Sequence, residues 1–133
     1  MLRYNPLKPL YFGHELKTER HQKFMSGGAG YVLSKEALRR LATIGSKNAT
    51  LCRHWGGAED VALSTCLQNL GVQNITSLDA RGSERFNVFN LETSIFGKYP
   101  EWYYKYSTRN VTWVIIILHI IQDNVPKGTG PTK

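Results

Sequence analysis

The stretch that decides the fold is Phe24-Met25-Ser26-Gly27-Gly28-Ala29-Gly30-Tyr31-Val32-Leu33-Ser34. Its glycines at positions 27, 28 and 30 permit backbone conformations closed to other residues, and they let the main chain approach a ligand closely. The apolar residues on either side of the glycines indicate the end of one strand and the start of another. We therefore predict a strand, a glycine turn and a strand over residues 24–33, followed by a helix with Ser34 as its N-cap. A tight turn without a ligand is the plain structural interpretation of such a cluster.

An acidic pair, Glu59-Asp60, stands one element later, at the start of a second helical pattern. Carboxylates in the first turn of a helix are stabilised by the helix dipole and by free N–H groups, by about 0.3–1 kcal/mol each. That stabilisation alone explains the pair. The alternative is that one carboxylate projects into a cleft beside the glycine turn and acts there as a general base. The residues by themselves leave both interpretations open.

Two amphipathic helices organise the middle of the chain. The first covers residues 34–44, with Arg39 and Arg40 pointing away from an apolar face made of Ala37, Leu38, Leu41 and Ile44, and with Gly45 just past its end. The second covers residues 58–70 and ends at Gly71, with a buried stripe made of Leu63, Cys66, Leu67 and Leu70. Around them we predict an extended segment at residues 1–13, a polar surface loop at residues 14–23 and a strand at residues 72–78.

The charge balance is basic, with 17 Lys and Arg against 10 Asp and Glu and a net charge of +7. This charge permits binding to nucleic acid, to an acidic membrane surface or to an anionic nucleotide sugar. The basic residues are scattered, which favours an ordinary solvated surface over a nucleic-acid stripe. The most apolar run, residues 113–121, is shorter than the roughly 20 residues that a membrane span needs. No secretory leader is recognisable at Met1-Leu2-Arg3-Tyr4.

Other residues give weaker signals. The two cysteines would be free thiols in the cytosol and could pair in an oxidising lumen. Three N-x-Ser/Thr sequons favour the lumen, and their candidate glycosylation sites are Asn48, Asn74 and Asn110. His14 and His21 lie in the predicted surface loop, where solvated histidines are more common than metal ligands and no partner spacing supports a site.

The order of these motifs resembles the β-1,3-glycosyltransferases. Residues 26–40, followed by Glu59-Asp60-Val61-Ala62-Leu63, are most similar to the core 1 (glycoprotein-N-acetylgalactosamine) β-1,3-galactosyltransferases. Pro9-Leu10-Tyr11-Phe12-Gly13 and the spacing of Cys52 and Cys66 also match, so the resemblance covers residues 9–106. It implies an α/β fold that is GT-A-like and Rossmann-related. Residues 1–106 would be the C-terminal, acceptor-side part of that domain, and residues 107–133 a divergent, poorly ordered tail.

The resemblance also implies an activity. Such an enzyme transfers galactose from UDP-galactose to the 3-hydroxyl of O-linked N-acetylgalactosamine on glycoproteins, with inversion at the anomeric carbon. By this resemblance Asp60 is the base and Glu59 orients the site, Cys52 and Cys66 form a disulfide, and the substrate contacts are Gly27, Gly28, Ala29, Gly30, Tyr31, Trp102 and Tyr103. From the residues alone, Tyr31 and the aromatic segment Trp102-Tyr103-Tyr104 fit a packed core as well as a sugar site.

The chain departs from this family in its metal ligands. The Asp-x-Asp motif expected before the glycine stretch is absent from the sequence, as are the family's later metal-binding histidine and paired cysteines. We therefore expect Mn²⁺ to belong to the full-length protein through ligands absent from this chain, and we expect the chain alone to be inactive. The alternatives are a non-catalytic, chaperone-like or binding relative of the same family and, from the basic charge, a nucleic-acid-binding module.

The family also sets expectations for location and partners. In full-length form we expect a single-pass type II membrane protein in the Golgi lumen, with membrane contact only through an anchor absent from this chain. The expected partners are UDP-galactose and the glycoprotein acceptor, without nucleic acid, and a homodimer is left open.

Overall fold

The computed structural model describes residues 4–53, 57–75, 77–80 and 82–109. The chain divides into two units, residues 1–89 and residues 90–133. The glycine stretch and the acidic pair belong to the first unit, and the aromatic segment belongs to the second. The apolar run at residues 113–121, the sequon at Asn110 and most of the predicted tail lie outside the described residues, so the boundary after residue 106 stays a prediction.

The described residues of the first unit form five strands and two α-helices. In chain order the strands are β1 (Leu10–Gly13), β2 (Glu15–Lys17), β3 (Lys23–Met25), β4 (Tyr31–Leu33) and β5 (Gln73–Ile75). The helices are α1 (Lys35–Thr43) and α2 (Glu59–Asn69). This mixture of helices and small sheets agrees with the predicted α/β class. The strand predicted over residues 72–78 is confined to β5.

The central sheet has the order β4-β1-β5. Strand β1 is buried at every position, pairs antiparallel with β4 and pairs parallel with β5, so that Tyr11 lies opposite Leu33 on one side and Asn74 on the other. A parallel partner on one side and helices nearby leave no solvent face for β1, which explains its unbroken apolar run.

A hairpin replaces the predicted surface loop at residues 14–23. Strands β2 and β3 pair antiparallel with Leu16 opposite Phe24. The prediction was wrong because only Leu16 in β2 is buried, at 4% exposure, and the flanking charged residues Glu15 and Lys23 form an ion pair at 3.0 Å. Three-residue strands with one buried side chain carry almost no alternating pattern in the sequence.

Helix α1 begins as predicted. The Ser34 side-chain oxygen accepts the backbone N–H of Ala37 at 3.1 Å, which makes Ser34 the N-cap. The predicted apolar face is only partly buried: Ala37 is inaccessible, whereas Leu38 and Ile44 are 55% and 44% exposed. Arg40 does not point away, because its Nη1 donates to the Leu70 carbonyl at 2.8 Å and so satisfies the end of α2.

Gly45 follows Ile44, the C-cap of α1, as predicted, and it also has a packing role. It is buried and begins a 3-10 turn, Gly45–Lys47. A Cβ atom there would lie 2.9 Å from Cys52 Sγ and 3.1 Å from Leu70 Cδ1. Glycine is needed because the backbone of this turn packs directly against the side chains of the core.

Helix α2 has the predicted buried stripe. Cys66, Leu67 and Leu70 are buried, and Leu63 packs partly buried against the same core. Gly71 follows with φ +70, a conformation that favours glycine at the end of a helix. The predicted disulfide between Cys52 and Cys66 is confirmed, with their Cα atoms 4.4 Å apart. It ties the loop before α2 to the helix that carries the acidic pair.

In its described part, residues 90–109, the second unit contains two short helices, α3 (Leu91–Phe96) and α4 (Glu101–Tyr106). Asn90 caps α3 by accepting the Thr93 N–H at 2.9 Å, and Gly97 ends it with φ +65. In the part of the chain that the structure describes, no helix is long and apolar enough to cross a membrane.

Candidate functional site

The glycine turn, residues 26–30, links β3 to β4 through a single 3-10 turn, Gly27–Ala29. The Gly30 N–H closes the turn on the Gly27 carbonyl at 3.0 Å. Gly30 itself has φ +71 and ψ 165, a combination that only glycine adopts readily. The predicted strand, turn and strand are therefore confirmed, and the turn leaves Gly27, Gly28 and Gly30 at the surface.

The structure brings the acidic pair onto this turn. The Gly27 N–H donates to Asp60 Oδ2 at 3.0 Å, and the Val61 N–H donates to Asp60 Oδ1 at 2.9 Å. A Cβ atom on Gly27 would lie 3.3 Å from Glu59 Oε2 and 3.6 Å from Asp60 Cβ. A side chain at position 27 would therefore press on the Glu59 carboxylate, which would have to shift by a few tenths of an ångström, whereas its distance from Asp60 is an ordinary contact.

Glu59 is held by Tyr31. The Tyr31 hydroxyl donates to Glu59 Oε1 at 2.6 Å. This hydrogen bond, with smaller contributions from burial and from the negative charge of Glu59, raises the pKa of Tyr31 to about 12. The hydroxyl therefore keeps its proton at neutral pH and remains a donor. The Tyr31 ring packs edge-to-face on Tyr11 at 5.7 Å between centroids, so the side chain bridges the core and the acidic pair.

Ser64 and Tyr11 are buried behind the turn, and the sequence reasoning assigned neither of them a role in the site. Ser64 is inaccessible; its Oγ accepts the Met25 N–H at 3.2 Å and lies 3.3 Å from the Tyr11 hydroxyl. Burial raises the pKa of Tyr11 to about 12, and the charges of Glu59 and Asp60 act in the same direction. A usable signal was present, because Ser64 stands four residues after Asp60 and so shares its side of the helix.

The aromatic candidates belong to the second unit and are described within it. Tyr103 is buried and packs on Tyr99 with ring centroids 4.9 Å apart, which makes it a core residue of that unit. Trp102 is 45% exposed and leans edge-on against Tyr103 at 6.0 Å. A contact with a sugar stays a prediction for both residues.

The two histidines of the predicted surface loop, His14 and His21, have different settings. His14 is buried, not solvated as expected, and its Nδ1 lies 2.8 Å from the Phe86 carbonyl oxygen. His21 is exposed in a turn with φ 60. Among residues 4–53, 57–75, 77–80 and 82–109, no group of three or more His, Cys, Asp or Glu side chains could hold a metal ion. These residues do not fit the metal that the resemblance implies.

The two described sequon asparagines have different settings. Asn48 lies in the loop after α1, and its Oδ1 accepts the N–H groups of Thr50 and Leu51, both at 3.1 Å. Asn74 lies inside β5, and its Oδ1 is buried without a hydrogen-bond partner. A glycan fits the first setting better than the second, and glycosylation at either residue stays a prediction.

Comparison with known proteins adds an independent observation. A family model described as Fringe-like matches residues 4–114. The glycoprotein-N-acetylgalactosamine 3-beta-galactosyltransferase 1 of Xenopus laevis is 39% identical over 107 residues, which cover 77% of this chain and 29% of that protein. The chain therefore spans less than a third of the length of this curated relative. The family match contains the glycine turn, the acidic pair and the aromatic segment, and it continues past Tyr106.

Proposed function

We propose a function from one premise: this chain belongs to the Fringe-like family. Within that family we assign it the acceptor-side part of a GT-A-like, inverting β-1,3-galactosyltransferase. The substrates we propose are UDP-galactose as donor and the 3-hydroxyl of O-linked N-acetylgalactosamine on a glycoprotein as acceptor. The similarity to the Xenopus galactosyltransferase supports this choice.

The observation that carries the proposal is the Asp60 carboxylate, which lies at the start of α2 against the backbone of the glycine turn. An inverting transfer needs one base beside the acceptor hydroxyl and a surface that the sugar can approach closely. Asp60 supplies the base. The exposed glycines supply the surface, because they present backbone without side chains beside the carboxylate.

The proposed step balances as a single displacement. The acceptor 3-hydroxyl oxygen attacks the anomeric carbon of galactose while its proton passes to the Asp60 carboxylate. The bond from that carbon to the diphosphate oxygen breaks, and UDP leaves with the electron pair. Each carboxylate oxygen has two acceptor positions, so Asp60 can receive the hydroxyl proton while it keeps its bonds to Gly27 and Val61.

The neighbouring residues orient the site in this proposal. Glu59, fixed by the Tyr31 hydroxyl, lies within reach of an acceptor sugar bound over the glycines and can accept hydrogen bonds from its other hydroxyls. Gly27, Gly28, Ala29 and Gly30 contact the sugar through backbone. Within the second unit we propose Trp102 as an aromatic contact for a sugar, with the buried Tyr103 packed against it as support, since an aromatic face suits the C–H face of a sugar.

We also place the full-length protein in the secretory pathway, in the Golgi lumen. The Cys52–Cys66 disulfide supports an oxidising compartment. Manganese, as the family's metal, would act on the donor side, and the described residues of this chain are assigned only acceptor binding, orientation and proton removal.

Substitution of the two carboxylates tests the proposal in a complete enzyme that carries this segment. We expect Asp60→Asn to lower kcat by about 10²–10⁴-fold, the usual contribution of a positioned general base. Glu59→Gln is the matched control at the neighbouring position, and it should lower kcat less. Folding should survive, because Asn keeps the volume of Asp and its side-chain oxygen can still accept a backbone N–H. An Asp60→Asn enzyme with most of its turnover would leave Asp60 with a structural role alone.

A second candidate is a non-catalytic, chaperone-like or binding relative of the same family. The observation that favours it is that both Asp60 oxygens accept backbone N–H groups, which is what a purely structural residue would do. In that case Asp60→Asn and Glu59→Gln would each cost a few tenths of a kcal/mol of stability, of the size expected for charges at a helix start, and acceptor binding would persist without transfer.

A further inference from the structure

We propose that Ser64 and Gln68 are positioning residues that fix the register of α2 along β3 and so hold the Asp60 carboxylate at the glycine turn. The inference rests on the proposed function only in treating Asp60 as the base. The register itself follows from contacts that need no substrate.

The outer edge of β3 is the first part of the argument. In the hairpin, the Ser26 N–H donates to the His14 carbonyl and the Thr18 N–H donates to the Gln22 carbonyl, both at 2.8 Å. Hydrogen-bonded pairs alternate along an antiparallel ladder, so the backbone groups of Lys23 and Met25 point away from β2. Such an unpaired edge needs other partners when it is buried.

Helix α2 supplies those partners from one side of the helix. Met25 N–H donates to Ser64 Oγ at 3.2 Å, and Gln68 Nε2 donates to the Lys23 carbonyl at 3.0 Å. The bond from the Gly27 N–H to Asp60 is a third contact of the same kind. From one contact to the next, the helix residue moves four positions forward (60, 64, 68) and the strand residue two positions back (27, 25, 23). Side chains of α2 thus take the place of a neighbouring strand.

The spacing of the three contacts explains why they can all form. Four residues of α-helix rise by about 6.0 Å, and two residues of β-strand by about 6.6 Å. The difference of roughly 0.6 Å per step is small enough for side chains to absorb over two steps. A shift of α2 by one turn would place Ser64 opposite Gly27 and would move Asp60 beyond the turn.

Burial decides which contact sets the register. Ser64 is inaccessible and Met25 is 1% exposed, whereas Gly27 lies at the surface. A buried N–H without a partner is far more costly than an exposed one, so the inner contact holds the helix and the outer contact follows. The Tyr11 hydroxyl, 3.3 Å from Ser64 Oγ, further restricts the serine side chain.

Backbone amide exchange in the intact chain, followed by NMR, tests the register without any need for activity. The variants are Ser64→Ala and Gln68→Ala, and the matched control is Asn69→Ala. Asn69 is also an exposed amide at the end of α2 and also donates to a backbone carbonyl, that of Leu51 at 2.8 Å, but this carbonyl belongs to the disulfide loop. The Phe12 amide in the central strand serves as the reference for global opening.

We expect Gly27 exchange, relative to that of Phe12, to rise about 10-fold in Ser64→Ala and about 3-fold in Gln68→Ala, and to stay within about 1.5-fold in Asn69→Ala, since the openings are local. Because Gln68 is exposed, its variant should fold even if Ser64→Ala does not. Equal responses in Gln68→Ala and Asn69→Ala, or none in either, would overturn the register claim.

A kinetic arm in a complete enzyme then separates this inference from the proposed function. If Asp60 is the base, Gln68→Ala should lower kcat by about 3-fold with KM little changed, since it displaces the group that acts in the transition state. If Gly27 exchange rises in Gln68→Ala but the Asp60→Asn enzyme is fully active, the register proposal stands and Asp60 is rejected as the base. Unchanged kcat in Gln68→Ala despite a loosened Gly27 would reject its positioning role.

Discussion

Asp60 accepts the backbone N–H of Gly27 with one carboxylate oxygen and that of Val61 with the other. The same side chain is therefore a structural contact and the candidate base. The sequence could predict both roles separately, as a charge at a helix start and as a member of a resembled motif. It could not predict the Gly27 contact, because that contact depends on how α2 lies along β3. The spacing of four residues could have placed Ser64 on the same side of α2 as Asp60, but it could not predict the contact of Ser64 with the Met25 N–H.

Tyr31 gives a prediction at the residue scale through its bond to Glu59. The folded state raises its pKa from 10.0 to about 12. A raised pKa means that the folded state holds the proton more tightly, so this stabilisation is complete below pH 10 and is lost as the pH rises through about 12. Tyr31→Phe keeps the ring contact with Tyr11 and removes the titrating hydroxyl. We expect its unfolding free energy to fall less between pH 10 and 12 than that of the wild type, as measured by urea unfolding.

Tyr11 sets the limit of this effect, because its pKa is also raised to about 12. The Tyr31→Phe variant should therefore still lose some stability at alkaline pH. In a Tyr11→Phe, Tyr31→Phe double variant, the unfolding free energy should change little over the same pH range. A single variant that loses stability over this range as steeply as the wild type would contradict the assigned role of the Tyr31–Glu59 bond.

At the scale of elements, local signals were sufficient where the partners are close in sequence. The Ser34 cap, the ends of α2 and the turn between β3 and β4 all rest on residues within a few positions of each other. The β2–β3 hairpin was missed because three-residue strands with one buried side chain carry almost no pattern. The direction of Arg40 was predicted wrongly because its partner, the Leu70 carbonyl, lies 30 residues further along the chain. Amphipathic patterns indicate only which face of a segment is buried. They do not indicate which polar groups form hydrogen bonds with its backbone.

The disulfide and Gly45 form one packed unit that can be tested together. The Cys52–Cys66 bond should contribute about 3 kcal/mol in the chain-entropy model. Gly45→Ala should cost a further 1–3 kcal/mol or so, because its Cβ would lie 2.9 Å from Cys52 Sγ. Unfolding in urea measures both. Strain in the Gly45 backbone is not involved, since its φ is not positive.

A double-variant background identifies the cause. In a Cys52→Ala, Cys66→Ala chain the sulfur is gone, so Gly45→Ala should cost less than in the wild type. The contact with Leu70 Cδ1 at 3.1 Å remains, and some cost should therefore persist. An identical cost in both backgrounds would show that the sulfur contact does not decide the need for glycine at this position.

For the whole molecule, the proposed function assigns this chain one side of a two-substrate reaction. The chain aligns with 29% of the Xenopus galactosyltransferase, and its described residues offer no group of ligands for a metal. Inverting transfer requires that charge building on the leaving diphosphate be neutralised, which metal ions commonly do. We therefore expect the purified 133-residue chain to transfer no galactose from UDP-galactose to a peptide carrying N-acetylgalactosamine, even with Mn²⁺ added.

The same preparation should still recognise the acceptor if the glycine turn and the acidic pair form its site. We expect the glycopeptide to shift the NMR signals of the Gly27, Gly28 and Gly30 amides, whereas the unglycosylated peptide should not. The Asp60→Asn chain tests the carboxylate: it loses the charge and can keep only one of the two backbone contacts, so its shifts on glycopeptide addition are measured against its own ligand-free spectrum. Galactose transfer by the wild-type chain above the level of a blank would overturn the expectation of inactivity. If both peptides shift the amide signals equally, the glycine turn and the acidic pair are not the acceptor site. The amides of the glycine turn would then report only the packing of α2 on β3.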